Sequence, residues 1–385
     1  MIMHKKLLVL MLVLCTLVSI TTYHAESETQ TAEQTKNTVQ ETIPSLKELY
    51  AGKFDIGAAA PQRAFNDTKL RDMMITQFSI LTPENELKPS AVLDVSASKQ
   101  MVKETGDETS VAVRFNSAKA LLRFAQQNGI KVHGHVLVWH EQTPEAFFHE
   151  GYDTKKPLLS REAMLGRLES YIREVLTQTE ELYPGVIVSW DVVNEAIDDS
   201  TGWMRKKSNW VKVIGEDFAA RAFEYARKYA ADGVLLYYND YNTPLPGKLK
   251  GITKLLEQLT AEGNIDGYGF QMHYSTGNLD VVDPTSANIS IALKKIAGMG
   301  LKLRVSELDI AIPKSSEAYL ARQKEAFKTI MQLMLQYADQ TEAVQVWGLK
   351  DDMSWRTGKY PLLFDMKGNP KPAFYGVVEA LTEED

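Results

Sequence analysis

Cysteine is almost absent: Cys15 is the only one in 385 residues, and it falls within the first apolar run. A chain that loses this run has no disulfide, no thiolate metal site and no cysteine nucleophile. An excess of positive charge is also absent, with 43 Lys and Arg against 50 Asp and Glu. The net charge of −7 lacks the basic surplus that nucleic-acid or anionic-membrane partners usually require. No G-x-G-x-x-G follows the first strand-like run, where Ala58, Ala59, Ala60 and Pro61 stand instead, and no G-x-S-x-G elbow occurs. A phosphate cradle and a serine-hydrolase elbow are therefore both missing.

The one long apolar run is at the N-terminus. His4, Lys5 and Lys6 precede Leu7 to Ile20, so residues 1–25 are expected to be a signal peptide, with an uncleaved anchor as the alternative. This implies a secreted or cell-envelope protein. Residues 26–42 are polar and without period, as a flexible tether would be. The remainder, 43–385, is expected to be one domain without a separate carbohydrate-binding module.

Within it, short apolar runs alternate with amphipathic stretches. The runs are Phe54–Ala59, Ser79–Thr82, Lys131–Trp139, Val188–Asn194, Val234–Tyr238, Tyr268–His273, Lys302–Leu308 and Val344–Gly348. Asn116 or Ser117 is the expected cap of a helix ending at Gly129. Ser160 is the expected cap of a helix whose Met164, Leu165, Leu168, Tyr171, Ile172 and Val175 share one face. Eight strands alternating with helices predict an α/β fold, a (β/α)8 TIM barrel.

Polar and aromatic residues gather where these strands end, and in a barrel those ends meet at one mouth. Two of the groups are carboxylates, Glu195 and Glu307. Such a pair suits glycoside hydrolysis: one acid protonates the leaving oxygen while the other attacks the anomeric carbon. Tryptophans offer flat faces to sugar rings, and amides, lysine and histidines offer hydrogen bonds to hydroxyls. A single strand-end acid could merely cap the next helix, as Asp198, Asp199 or Asp240 could. The His133-Gly134-His135 pair could hold a metal, but hydrogen bonding to a sugar is the preferred reading, with no metal or cofactor expected.

Three segments then carry a family resemblance: Gly134-His135-Val136-Leu137-Val138-Trp139-His140, Trp190-Asp191-Val192-Val193-Asn194-Glu195-Ala196 and Ser306-Glu307-Leu308-Asp309. With Trp347-Gly348-Leu349, Ser354-Trp355 and Lys371-Pro372-Ala373, the chain resembles glycoside hydrolase family 10, the endo-β-1,4-xylanases, from about Ile43 to Ala380. The resemblance implies retaining cleavage of xylan, with Glu195 as acid/base and Glu307 as nucleophile. It implies that Asn194 binds the sugar 2-hydroxyl, that His273 bonds Glu307 and is oriented by Asp309, and that Gln271 lies beside the acid/base. Glu84, Asn85, Lys88, His135 and Trp139 would bind sugars on the non-reducing side, walled by Trp347 and Trp355, with Tyr241 on the leaving-group side. Pro89 stands where the family often has tryptophan, and 95–114 reads as a polar insertion. The implied partners are xylan and xylo-oligosaccharides, met by a monomer without nucleic acid or an obligate protein partner. A retaining endo-glucanase, a non-catalytic sugar-binding barrel and a metal-dependent hydrolase remain as alternatives.

Overall fold

The computed structural model describes residues 43–277 and 287–382. The expected signal peptide and tether lie outside them. From Ser45 onward the chain makes one compact unit.

Eight strands form its centre: β1 (Asp55–Ala60), β2 (Ile80–Pro83), β3 (Lys131–Gly134), β4 (Ile187–Asn194), β5 (Leu235–Tyr241), β6 (Gly267–Ser275), β7 (Lys302–Ala311) and β8 (Thr341–Val346). Each is parallel to its neighbours in sequence. β1 also pairs with β8, and β3 with β4, so the sheet closes on itself. Closure leaves no unpaired edge. Helices such as Arg161–Leu182, Phe218–Tyr229, Pro246–Ala261 and Glu317–Leu335 follow individual strands and bury one face. This is the expected (β/α)8 barrel.

Three local expectations are corrected. The run Lys131–Trp139 is not one strand: the ladder stops at Gly134, the His135–Val136 peptide is cis, and a two-residue piece, Val138–Trp139, resumes pairing with β4. The last strand begins at Thr341, three residues before the apolar run, because Thr341 already pairs with Leu303 and Ala343 with Arg304 of β7. Neither Asn116 nor Ser117 caps a helix. The chain enters Lys119–Asn128 through a turn in which Lys119 N–H donates to the Phe115 carbonyl, and Ala118 holds the cap position without a side-chain bond. Gly129 ends that helix at φ 64° and Ser160 caps the next, both as expected.

The barrel interior holds a polar layer. Arg304 of β7 donates to Gln345 of β8 (2.5 Å) and Ser189 of β4 (3.1 Å); Gln345 donates to Thr82 of β2 (2.7 Å), and His133 of β3 lies 2.7 Å from Ser189. Five strands are thus joined by side chains as well as by backbone. Gly134 is required by close packing: a Cβ there would meet the Trp190 ring at 2.3 Å.

The segment 95–114 is folded. Helix Val95–Thr105 is capped by Asp94, and Glu108 anchors the following turn by accepting from Arg167 (2.6 Å). Fully buried Arg167 also donates to the carbonyls of Phe147 (2.7 Å) and His149 (2.9 Å) and lies 3.9 Å over the Tyr152 ring. A buried guanidinium needs this many acceptors to offset its lost hydration.

Candidate active site

A cleft of about 580 Å³ opens at the C-terminal ends of the strands. Glu84, Asn85, Lys88, His135, Trp139, Asn194, Glu195, Tyr241, Gln271, His273, Glu307, Trp347 and Trp355, all predicted site residues, line it. The remaining one, Asp309, lies buried beneath His273.

The two central carboxylates hang from one set of amides. Asn194 receives hydrogen bonds on Oδ1 from Asn239 (3.0 Å) and Gln271 (2.9 Å). Two donors on one oxygen fix the amide, so its NH2 group faces Glu195 Oε1 at 3.1 Å. Gln271 also donates to Glu195 Oε1 (3.0 Å), and Trp139 Nε1 donates to Glu195 Oε2 (3.0 Å). On the other side, Asn239 Nδ2 donates to Glu307 Oε1 at 2.9 Å. Ser306 Oγ donates to Asn239 Oδ1 (2.6 Å) and thereby sets which end of that amide meets Glu307. Gly269 leaves the room: a Cβ there would lie 2.4 Å from Asn239 Oδ1.

Glu195 itself has a left-handed backbone, φ 55°. Non-glycine residues adopt this only when their surroundings impose it. Here Glu195 N–H donates to the Asn239 carbonyl (2.9 Å), Arg205 Nε donates to the Glu195 carbonyl (2.8 Å) and the next N–H, of Ala196, donates to Tyr238 Oη (3.1 Å).

His273 is held between two acids. Its Nε2 lies 3.1 Å from Glu307 Oε2 and its Nδ1 lies 2.8 Å from Asp309 Oδ2. Burial opposes its protonation, but the Asp309 and Glu307 carboxylates outweigh that and raise its pKa to about 10. At neutral pH both ring nitrogens therefore donate. Burial would raise the Asp309 pKa, yet His273 and Arg356 hold it below the usual carboxylate range. Trp355 Nε1 and Arg356 add hydrogen bonds to Asp309 at 2.9 and 2.8 Å. Trp355 is 57% exposed, so its ring is open to a ligand even though its nitrogen is tied down.

At the far edge Lys88 donates to Asn85 (3.1 Å) and sits 4.9 Å over the Trp139 ring. Burial lowers its pKa, offset in part by Glu307, Glu84 and Glu195. Burial raises that of Glu84, whose Oε2 has no hydrogen-bond partner among the described residues. His135 Nδ1 lies 2.8 Å from Asp191 Oδ2, which leaves Nε2 for another partner. Burial raises the Asp191 pKa, but the His133 and His135 rings outweigh it and hold the carboxyl well below its ordinary range. Both rings of the His-x-His pair are thus engaged by Asp191 and Ser189.

Sequence comparison decides the family. The model described as glycosyl hydrolase family 10 matches residues 45–380. The chain belongs to glycosyl hydrolase family 10. It is 37% identical over 334 residues to a bifunctional endo-1,4-beta-xylanase of Ruminococcus flavefaciens, covering 86% of this chain and 33% of that one. It is 38% identical over 351 residues to endo-1,4-beta-xylanase B of Butyrivibrio fibrisolvens, covering 89% and 54%. The chain thus spans about half the length, or less, of these curated relatives. A crystal structure of the N-terminal modules of a Clostridium thermocellum endo-1,4-beta-D-xylanase with xylohexaose superposes with a TM-score of 0.81 at 32% identity, covering 88% of this chain and 68% of that one.

Three residues that line or support this family-10 cleft were not singled out in the sequence. Asn239 stands in a strand-end run that also reads as turn chemistry. Arg205 comes from a ribbon of Ile197–Asp198 against Trp203–Met204, too short for any period. Arg356 follows Trp355 in a loop. Asp240 is not a helix cap: it is buried 2.9 Å from Lys248, while Asp198 does close a turn onto Ser200 and Thr201.

Proposed function

We propose that this chain hydrolyses internal β-1,4-xylosidic bonds of xylan with retention of configuration, through a covalent glycosyl-enzyme. One observation carries the reading: Glu195 and Glu307 face a common cleft from β4 and β7 and share one hydrogen-bonded set of amides.

In the first step Glu195 gives its proton to the glycosidic oxygen and the Glu307 carboxylate attacks the anomeric carbon. The bond to the leaving sugar breaks and an ester to Glu307 forms. Glu195, now ionised, takes a proton from water; the oxygen of that water attacks the same carbon and releases Glu307. Asn194 presents its NH2 where the 2-hydroxyl would lie, and that bond strengthens as positive charge grows on the ring. His273, protonated between Asp309 and Glu307, donates to one Glu307 oxygen while Asn239 donates to the other, and the two together hold the carboxylate in place for attack.

Names of relatives support the substrate, since those compared are endo-1,4-beta-xylanases. The exposed Trp355 beside His273 (ring centroids 5.1 Å apart) is expected to crowd a sugar carrying a hydroxymethyl group. The protein is read as exported, on the strength of Leu7 to Ile20, and as a monomer without cofactor or protein partner. A time course on xylohexaose tests the main reading. Internal cleavage to shorter oligomers is expected. No cleavage, or stepwise loss of single xylose units, would overturn it, and faster attack on carboxymethyl cellulose than on xylan would favour an endo-glucanase.

A further inference from the structure

The chain just beyond Glu195 is gripped by buried polar side chains. Glu195 stands at φ 55°, a shape that a residue with a Cβ keeps only under restraint. Tyr238 Oη accepts from the Ala196 N–H (3.1 Å) and donates to Asp240 Oδ2. Asp240 Oδ1 accepts from Lys248 Nζ (2.9 Å), and Lys248 Nζ also donates to the Ile197 carbonyl (2.7 Å). Tyr238, Asp240 and Lys248 thus close a ring onto the backbone one and two residues after Glu195. All three are buried, and none of them lines the cleft.

The ring is fully committed. Lysine has three N–H donors, and the third of Lys248 goes to Asp199 Oδ1 (2.6 Å). Asp240 Oδ1 also accepts from the Tyr241 N–H (2.9 Å). The Lys248 ammonium lies 4.1 Å from the centre of the Tyr241 ring, and Tyr241 Oη accepts from Arg205 (2.7 Å). Arg205 completes the grip, its Nε on the Glu195 carbonyl (2.8 Å) and its backbone N–H on the Ala196 carbonyl (3.0 Å). A buried pair of opposite charges seldom stabilises a fold more than apolar side chains of the same volume would. Stability alone is therefore a weak reason for Asp240 and Lys248, and their contacts lead to the Glu195 backbone.

We propose that Lys248 and Asp240 are positioning residues for the general acid: through Tyr238 and the Ile197 carbonyl they hold the Glu195 backbone in the shape that delivers its proton to the glycosidic oxygen. This rests on the retaining xylanase reading above. Glu307 is held by other side chains, Asn239 and His273, so attack by its carboxylate should be little affected.

The test compares the wild type with Lys248→Met and with the double variant Asp240→Asn/Lys248→Met on two aryl xylobiosides, one releasing dinitrophenol and the other phenol. Lys248→Met alone leaves an unpaired buried carboxylate, which threatens the fold; the double variant removes both charges together. Dinitrophenolate departs without a proton, whereas phenolate needs one from the acid. For the folded double variant, kcat/KM should stay near wild type on the dinitrophenyl substrate. On the phenyl substrate it should fall about ten- to hundredfold, the cost of a misplaced catalytic group. Equal losses on both substrates, or no loss on the phenyl one, would overturn the inference. A lower melting temperature without that gap would make the pair structural only and overturn it too. Failure of the wild type on xylohexaose would instead overturn the xylan reading.

Discussion

Asn239 Nδ2 lies 2.9 Å from Glu307 Oε1 and 3.0 Å from Asn194 Oδ1, so one NH2 group joins Glu307 to the residue beside Glu195. Its orientation is imposed by Ser306 from the strand that carries Glu307. Asn239→Ala is expected to lower kcat about ten- to hundredfold, the usual cost of losing a group that orients a reacting one. Circular dichroism should stay near wild type, while melting should fall modestly, since Asn239 is buried and its loss takes a partner from Ser306 Oγ and from Asn194 Oδ1. A kcat within twofold of wild type would show that Glu307 needs no such support.

The two carboxylates are expected to fail differently. Glu307→Ala should lower kcat by about ten-thousandfold or more, and added azide should then give a glycosyl azide of inverted configuration. Glu195→Ala should spare aryl glycosides with good leaving groups and cost about a hundred- to ten-thousandfold on those with poor ones. Equal losses across that series would remove Glu195 as the acid.

His273 links activity and stability to pH. Its folded pKa of about 10 lies above the ordinary histidine value of about 6.5. A raised cation pKa stabilises the fold fully below the unfolded value, and the benefit is lost as pH climbs from about 6.5 through about 10. Melting temperature should therefore fall across that window, and His273→Gln should flatten the fall. The alkaline limb of kcat should shift in the same variant. An unchanged stability profile would mean that the Asp309 and Glu307 contacts do not hold the proton.

Arg167 tests the segment that reads as an insertion. Arg167→Ala strands the Phe147 and His149 carbonyls and the Glu108 carboxylate, and is expected to destabilise by about 3–5 kcal/mol, seen as a lower denaturation midpoint. Activity per folded molecule should change little. A midpoint equal to wild type would make 95–114 a loosely attached decoration.

How far the sequence carried these conclusions depended on range. β-strands such as Ile187–Asn194 announce themselves because Ile187, Val188, Trp190, Val192 and Val193 crowd a strand-length run. Glu195 and Glu307 stand out because strand ends converge in a barrel whatever the loops do. Asn239 was hidden because its role comes from Ser306, 67 positions away, and nothing local separates it from a turn residue. Arg205 was hidden by the shortness of its ribbon, and the break after Gly134 by an apolar run that reads the same whether or not the ladder continues. The missing cap at Asn116 or Ser117 has another cause: a backbone turn met the helix's free amides before a side chain was needed.

The backbone of Glu195 carries a further consequence. At φ 55° a residue with a Cβ is held in a shape that glycine enters freely. Two variants lacking the carboxylate, Glu195→Ala and Glu195→Gly, should therefore differ in thermal resistance, the glycine form melting higher although it has lost more atoms. Turnover and robustness are expected to compete at this residue, and directed evolution selecting for heat tolerance alone would be expected to erode Glu195 before it touched Glu307.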